Sequence, residues 1–264
     1  MNWWGKMIGG TFGFMLGGPL GALFGAAIGH NFDKGLHNVG AAGGGWGQQE
    51  RVQTAFFTAT FSIMGCVCKA DGLVNEDELT LAKQIMTQMD LNGQQKKAAI
   101  TLFNEGKKTD FPIDDILRQL RQEIGRRPNL IRMFIEIQLY TAFADGVMHQ
   151  EEKKLLFKVC GVFGISKDEF ENLSAAIRGE AHHRRGRRVG RKNGITASDA
   201  HAVLGVSAKT TDVDIKKAYR RLLSQHHPDK LVSKGLPEEM MKIATQRTHE
   251  IRQAYEKIRK ERNF

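Results

Sequence analysis

The sequence predicts an all-α protein with a single transmembrane helix, a compact helical bundle and a C-terminal hairpin of two helices. Three observations carry this prediction. Residues 7–29 contain no charged side chain. Apolar residues recur at spacings of three and four through residues 52–177, with little of the alternation typical of strands. Two further stripes with the helical spacing lie on either side of Pro228.

The first element is the predicted transmembrane helix, which follows a short tail at residues 1–6. Its 23 residues would span roughly 35 Å as a helix, enough to cross the hydrocarbon core of a bilayer. A secretory signal peptide is the alternative, but the apolar run is long for one and no cleavage motif follows. Lys6 precedes the span and Lys34 and Arg51 follow it, which favours a cytoplasmic bulk and an outside N-terminus. The glycine-rich residues 30–51 are predicted to form a flexible juxtamembrane tether.

Glycine recurs at every fourth position through this span. Small residues at i and i+4 form a groove into which a second transmembrane helix packs closely. We therefore expect the span to form a homodimer through one glycine row, Gly9, Gly13, Gly17, Gly21 and Gly25. The alternative is that the glycines reflect composition alone, with no dimer.

The basic character of the chain belongs to its C-terminal part. Of the formal net charge of +10, residues 178–192 contribute +6 and residues 199–264 contribute +5, which leaves about −1 for the rest. Residues 178–198 are predicted to be a basic linker, first of all a solvated spacer. Contact with anionic lipid headgroups at 178–192 is the second interpretation. Nucleic acid is a distant third, because no aromatic side chain interleaves the arginines.

The three cysteines, Cys66, Cys68 and Cys160, lie in apolar helical patterns and form no C-x-x-C pair. A sparse, odd number of cysteines favours buried thiols in a reducing compartment over disulfides. This agrees with the cytoplasmic orientation.

Within the predicted bundle, "KADGLVNEDEL" at 69–79 recurs as "FADGVMHQEEK" at 143–153. Each copy follows one apolar helix and precedes another. The simpler interpretation is that Asp-Gly ends a helix with a left-handed residue and that acidic residues fill the first turn of the next. The alternative is a divalent cation site built from the two acidic clusters, although the spacing is not that of an EF-hand. Its candidate ligands are Asp71, Glu76, Asp145 and Glu151.

The predicted bundle, residues 52–177, resembles the TerB-like (tellurite-resistance-type) helical domain. The resemblance covers roughly residues 52–175. The acidic A-D-G turns carry this resemblance. It implies a compact helical domain and a suspected affinity for metal. Gln150 stands where the first copy has Glu76, so the two halves are not equivalent sets of ligands.

The C-terminal stretch "TTDVDIKKAYRRLLSQHHPDKL" predicts a helix, a stop and a turn. Thr211 and Asp214 form a capping-box pattern at its start. Pro228 disfavours helix in the residue before it and ends the element. Opposite the apolar stripe of this helix lies a basic face, which we define as Lys216, Lys217, Arg220 and Arg221. A second helix follows, with a stripe formed by Ala244, Thr248, Ile251, Tyr255 and Ile258. The two stripes predict an antiparallel pair.

This pattern resembles a J domain over residues 199–264. Three stretches carry the resemblance, "HAVLGV", "IKKAYRRL" and "HHPDKL". His201 stands where the family usually has tyrosine, a change that we expect to affect packing rather than partner binding.

The resemblance to J domains implies a co-chaperone that stimulates ATP hydrolysis by a DnaK-type chaperone. The basic face would dock on an acidic surface of that chaperone. The triplet His227, Pro228 and Asp229 would trigger hydrolysis, with Asp229 competing for a cation inside the chaperone.

The chain has no Walker loop, no H-E-x-x-H and no G-x-S-x-G motif. We therefore expect no enzyme and no cofactor, apart from the possible divalent metal. No Gly/Phe-rich segment follows the predicted J domain and no repeated C-x-x-C zinc module is present. General client binding of the DnaJ kind is therefore not expected.

The whole layout resembles a family of membrane-anchored DnaJ-like proteins of Gram-negative bacteria. This resemblance implies a single-pass position in the inner membrane with a periplasmic N-terminus, and a role with membrane-proximal clients or envelope signalling. The alternative is a membrane signalling or adaptor protein that senses metal or a partner through its TerB-like domain. A nucleic-acid tether is the third hypothesis, and it rests on the basic linker alone.

Overall fold

The computed structural model describes residues 18–27, 48–70, 72, 86–87, 91–144, 146–188 and 195–264. All regular structure in these residues is helical, which confirms the predicted all-α class. Within the same ranges no helix is both long and apolar enough to cross a membrane. Most of the predicted span lies outside the described residues, including Gly9, Gly13 and Gly17.

The bundle consists of six helices in the described chain: α1 Gln48–Lys69, α2 Gly93–Gly106, α3 Ile113–Ile124, α4 Pro128–Ala142, α5 Gln150–Val162 and α6 Lys167–Arg188. Helix α1 is central and contacts α2, α3, α4 and α5. Its buried residues run almost without interruption from Val52 to Cys68. A helix that is apolar on all sides must lie inside a protein or a membrane, and here the other helices surround it.

Helices α1 and α2 cross at two glycines, Gly65 and Gly106. A methyl group on Gly65 would overlap the carbonyl oxygen of Phe103, and one on Gly106 would overlap that of Ser62. The Cys66 thiol donates to the carbonyl oxygen of Gly106 over 3.0 Å. The two backbones therefore touch directly, with no side chain between them.

The cysteines are free, and Cys68 and Cys160 are buried. Burial raises the pKa of the Cys66 and Cys160 thiols to about 12. Both therefore stay protonated at neutral pH, as expected of the buried thiols that the sequence predicts.

The Asp-Gly turns have the predicted backbone geometry. Gly72 and Gly146 have φ angles of +87° and +93°, in the left-handed region that glycine adopts without strain. After the second turn, Glu151 and Glu152 occupy the first turn of α5. The backbone N–H of His149 donates to Glu152 Oε2 over 2.7 Å. Helix capping thus accounts for Glu152.

Helix α6 continues to Arg188, so residues 178–188 of the predicted linker are helical. Arginine, alanine and glutamate are good helix formers, and no proline interrupts the segment. The high charge indicated a spacer, but charge alone does not end a helix.

The C-terminal part of the described chain contains α7 Ala197–Leu204, α8 Asp212–His226, α9 Pro228–Val232, a short 3-10 helix Glu238–Met240 and α10 Met241–Arg262. Helices α7, α8 and α10 enclose a small apolar core of their own. Four other buried residues of this part belong instead to the core of the bundle: Leu231, Leu236, Met240 and Ala244. The two helical parts are therefore packed together.

Residues 18–27 are helical and lie against the bundle. The backbone N–H of Leu20 donates to Gln119 Oε1 over 2.7 Å. The rings of Phe24 and Phe57 meet edge to face with their centroids 6.2 Å apart. Gly21 and Gly25 of the predicted dimer face are half-buried here.

Candidate functional site

The start of helix α8 is fixed by the predicted cap. Thr211 Oγ1 accepts from the backbone N–H of Asp214 over 3.2 Å, and its hydroxyl donates to Asp214 Oδ2 over 2.8 Å. Ile215, Ala218 and Leu222 then point into the core. This cap and stripe set the rotation of the helix and hence the direction of its other side.

That other side carries the basic face, and all four of its side chains are exposed. The ammonium group of Lys216 lies 5.2 Å from the ring centroid of Phe264. Four cations within two helical turns create a local positive potential that attracts an acidic partner.

Helix α8 ends at His226, as the sequence predicts. Pro228 then opens the short helix α9, which the sequence patterns do not predict. We call His227, Pro228 and Asp229 the His-Pro-Asp turn. The side chains of His227 and Asp229 are 48% and 83% exposed, and His227 Nδ1 lies 4.0 Å from Asp229 Oδ2. Lys230 Nζ donates to Ser224 Oγ over 2.8 Å, from one side of the turn to the other. The turn is thus held at its base and open at its tip.

Helices α8 and α10 are antiparallel, as predicted. Arg262, near the end of α10, donates to Asp212 Oδ1 at the start of α8 over 3.0 Å. Thr248 Oγ1, in the first half of α10, donates to the carbonyl oxygen of His226 over 3.1 Å. Midway, the rings of Tyr219 and Tyr255 stack 4.0 Å apart. The His-Pro-Asp turn therefore lies at one end of a braced hairpin.

The bundle contacts this end of the hairpin through a buried carboxylate. His226 Nε2 lies 2.8 Å from Glu136 Oε2 and 3.1 Å from Glu136 Oε1 on α4. Arg132 Nε donates to Glu136 Oε1 over 3.0 Å. Arg247 Nε, on α10, lies 3.7 Å from Glu136 Oε2. We call these four residues the Glu136 cluster.

The charges of the cluster decide the ionisation of Glu136. Burial alone would raise the pKa of this carboxyl. The positive charges of His226, Arg247 and Arg132 outweigh burial and hold the pKa well below its ordinary value. Burial likewise opposes the charge of Arg247, but Tyr140, Glu136 and Glu250 raise its pKa. The cluster therefore contains an ionised carboxylate and charged arginines in a buried site.

The candidate metal ligands are not brought together in the part of the chain that is described. Asp71, Glu76 and Asp145 lie outside it. Glu151 is exposed and accepts from Lys154 Nζ over 2.7 Å. No group of three or more His, Cys, Asp or Glu side chains suited to a metal occurs among the described residues. The metal site stays a prediction.

Three family models match the chain in the expected order. The co-chaperone DjlA transmembrane domain matches residues 1–46, the tellurite resistance protein TerB residues 57–175, and the DnaJ domain residues 199–263. The chain is 44% identical over 272 residues to the co-chaperone protein DjlA of Coxiella burnetii. It is 41% identical over 275 residues to that of Escherichia coli K12 and 39% over 284 residues to that of Vibrio cholerae. Each alignment covers all of both chains. The chain belongs to the DjlA family of co-chaperones.

As a DjlA-family protein, the chain is a membrane-anchored co-chaperone with a TerB domain and a J domain, as the sequence predicts. Its relatives are named as co-chaperones and not as enzymes. The orientation in the membrane and the dimer stay predictions. No solved structure matches the chain.

Local patterns predict the basic face and the His-Pro-Asp turn of this DjlA-family chain, but they do not predict the Glu136 cluster. One signal was present. Glu136 interrupts the apolar stretch "MFIEIQLYTAF", where a charge must be paired if it is buried. The partner residues His226 and Arg247 lie 90 or more positions away, and no local pattern connects them.

Proposed function

We propose that this chain is an inner-membrane co-chaperone that stimulates the ATPase of a cytosolic DnaK-type chaperone. The observation that carries the proposal is the joint exposure of the basic face and the His-Pro-Asp turn on one hairpin. The DnaJ match over residues 199–263 and the co-chaperone relatives support the choice of partner. The short N-terminus lies in the periplasm and the bulk of the chain in the cytoplasm.

The two parts of the site have different tasks. The basic face docks on an acidic surface of the chaperone, and such pairing mainly sets the rate and orientation of encounter. The His-Pro-Asp turn then acts on the docked chaperone. The Asp229 carboxylate, exposed at the tip, is placed to pair with a cationic group of the chaperone and so to promote hydrolysis there.

The membrane anchor determines where this happens. A tethered co-chaperone raises the local concentration of DnaK near the membrane. We propose that it thereby recruits the chaperone to membrane-proximal clients or to envelope signalling proteins. A glycine-mediated dimer would present two J domains side by side.

The test is single-turnover ATP hydrolysis by DnaK with the full chain reconstituted in lipid nanodiscs. We expect wild type to accelerate hydrolysis and His227→Gln to abolish the acceleration. The matched control is His249→Gln, which changes an exposed histidine on α10 and keeps the stimulation.

In the same assay the double reversal Lys217→Glu with Arg220→Glu tests the basic face. We expect the half-maximal co-chaperone concentration to rise about tenfold, since two attractive charges become repulsive. The reversal Arg252→Glu, at an exposed position on α10, is the control. A folded wild-type chain that does not accelerate hydrolysis would refute the proposed function.

A further inference from the structure

We propose that Glu136, a residue of the TerB domain, is a positioning residue for DnaK stimulation. Through His226 it fixes the His-Pro-Asp turn relative to the basic face. The bundle would then contribute to DnaK stimulation and would not be only a spacer between the membrane and the J domain. This inference rests on the proposed function and deepens it.

The two hydrogen bonds of His226 fix the orientation of its imidazole ring. Nδ1 lies 2.9 Å from the carbonyl oxygen of Leu222, which can only accept, so Nδ1 carries a proton and donates. Nε2 lies 2.8 Å from Oε2 of Glu136. Both ring nitrogens therefore have a hydrogen-bond partner, and the ring is buried. In the chain, His226 immediately precedes His227, the first residue of the His-Pro-Asp turn.

The Glu136 carboxylate connects two basic side chains of the hairpin to the bundle. His226 and Arg247 come from different helices of the J domain and approach the same oxygen, Glu136 Oε2, at 2.8 and 3.7 Å. Arg247 Nη1 donates to Tyr140 over 3.3 Å, and Tyr140 belongs to the bundle as well. Loss of the Glu136 carboxylate would leave these two basic side chains close together at a buried position, with Glu250, 3.8 Å from Arg247 Nη1, as the remaining acidic neighbour.

Apolar contacts fix the other side of the turn. Leu231, Leu236 and Met240 are fully buried in the core of the bundle. The backbone at Gly235 passes so close to Val52 that a methyl group there would overlap the valine side chain. The chain is thus anchored to the bundle at 226 and again from 231 onward. The His227 and Asp229 side chains between these anchors stay exposed.

A short segment held at both ends has few ways to move, and the anchor at 226 is polar and directional. Buried ion pairs add little to stability compared with apolar packing, and their best-attested use is to select one arrangement. Here the arrangement selected is the placement of the His-Pro-Asp turn. Its presentation to DnaK in one geometry lowers the entropy lost on binding in the active pose.

The experiment is DnaK single-turnover hydrolysis with the full chain in nanodiscs, titrated to saturation so that the maximal rate and the half-maximal concentration are separated. The variants are Glu136→Gln, His226→Gln and the double variant. The matched control is Gln138→Leu. Gln138 is buried on the same helix, and its side chain donates to the carbonyl oxygen of Thr60 within the bundle. Folding of each variant is monitored by circular dichroism.

We expect Glu136→Gln to lower the maximal rate about fivefold while the half-maximal concentration stays unchanged, because the basic face is untouched. His226→Gln should do the same, and the double variant should be no worse than either single variant, since all three break one interaction. Gln138→Leu should lower the melting temperature but keep the maximal rate.

Three results would overturn the inference: an unchanged maximal rate in folded Glu136→Gln, an increased one, or an equal loss in Gln138→Leu. If Glu136→Gln does not fold, His226→Gln is compared with Gln138→Leu by the same criteria. Failure of the proposed function is distinct. It would appear as no stimulation by wild type or as full stimulation by His227→Gln, and it would remove the inference with it.

Discussion

Glu136 lies in an apolar helix with 1% of its side chain exposed, and it stays ionised only because three cationic groups surround it. Two of them, His226 and Arg247, belong to the J domain, and Arg132 lies one turn away on the same helix. Removal of one partner from a buried ion pair costs far more than the pair contributes, because the other charges stay behind uncompensated. Substitution of Glu136 is therefore expected to cost more stability than its position in an apolar helix suggests.

This arrangement predicts a pH-dependent stability difference between wild type and Glu136→Gln. The folded carboxyl has a pKa below its ordinary value of 4.5. Its stabilising contribution is therefore present above about pH 4.5 and is lost as the pH falls below that value. We expect the variant to be less stable by about 3 kcal/mol at neutral pH, with the difference shrinking in acid.

Urea unfolding of the full chain in detergent micelles, followed by circular dichroism at several pH values, measures this difference. Glu151→Gln is the control, since this exposed carboxylate pairs with a neighbouring lysine, and its effect should stay within about 0.5 kcal/mol. A difference for Glu136→Gln that is the same at neutral and acid pH would contradict the assignment.

At the scale of single helices, signals within a few residues were sufficient to predict where α8 begins and ends. The pair Thr211 and Asp214 marked the start of α8, and Pro228 marked its end, because capping and proline geometry are local effects. The end of α6 was missed, because a run of arginines is typical both of a solvated spacer and of an exposed helix. The crossing of α1 and α2 was also missed, since Gly65 and Gly106 are isolated glycines in the sequence.

That crossing gives a prediction for Gly106→Ala. The added methyl group would overlap the carbonyl oxygen of Ser62, and backbone cannot move aside as a flexible side chain can. We expect the free energy of unfolding to fall by about 2 to 3 kcal/mol.

Gly161→Ala is the matched control, because Gly161 also lies in a helix but has open space where the methyl group would go. Alanine is the better helix former, so this variant should be neutral or more stable by up to about 1 kcal/mol. Both are measured by urea unfolding of the full chain in detergent. Equal effects of the two substitutions would show that the helices do not cross as described.

At the scale of the whole molecule, the sequence predicted the three parts and their order but treated them as separate units. The contact between bundle and J domain depends on residues such as Glu136 and Leu236, whose partners are far away in sequence. Periodicity shows which face of a helix is apolar, but it does not show which other domain covers it. The packing of residues 18–27 against Phe57 and Gln119 escaped prediction for the same reason.

The predicted dimer is also a property of the whole molecule. We expect Gly17→Ile with Gly21→Ile to abolish association of the full chain in nanodiscs or bilayers, because the larger side chains fill the groove between the helices. The control is Ala22→Ile with Ala26→Ile, the same change five residues further along the chain and off the glycine row. Energy transfer between labelled copies measures the association. Similar dimer fractions in both variants, or no dimer in wild type, would refute the glycine face.

The contact between Glu136 and His226 also bears on how the protein is made. Ninety residues separate the two side chains, so the bundle leaves the ribosome well before the end of the J domain does. N-terminal domains fold first during synthesis, which gives the emerging hairpin a finished surface to fold against. Arg247 and Thr248 come later still. The Glu136 cluster is therefore complete only once Arg247, on α10, has been translated.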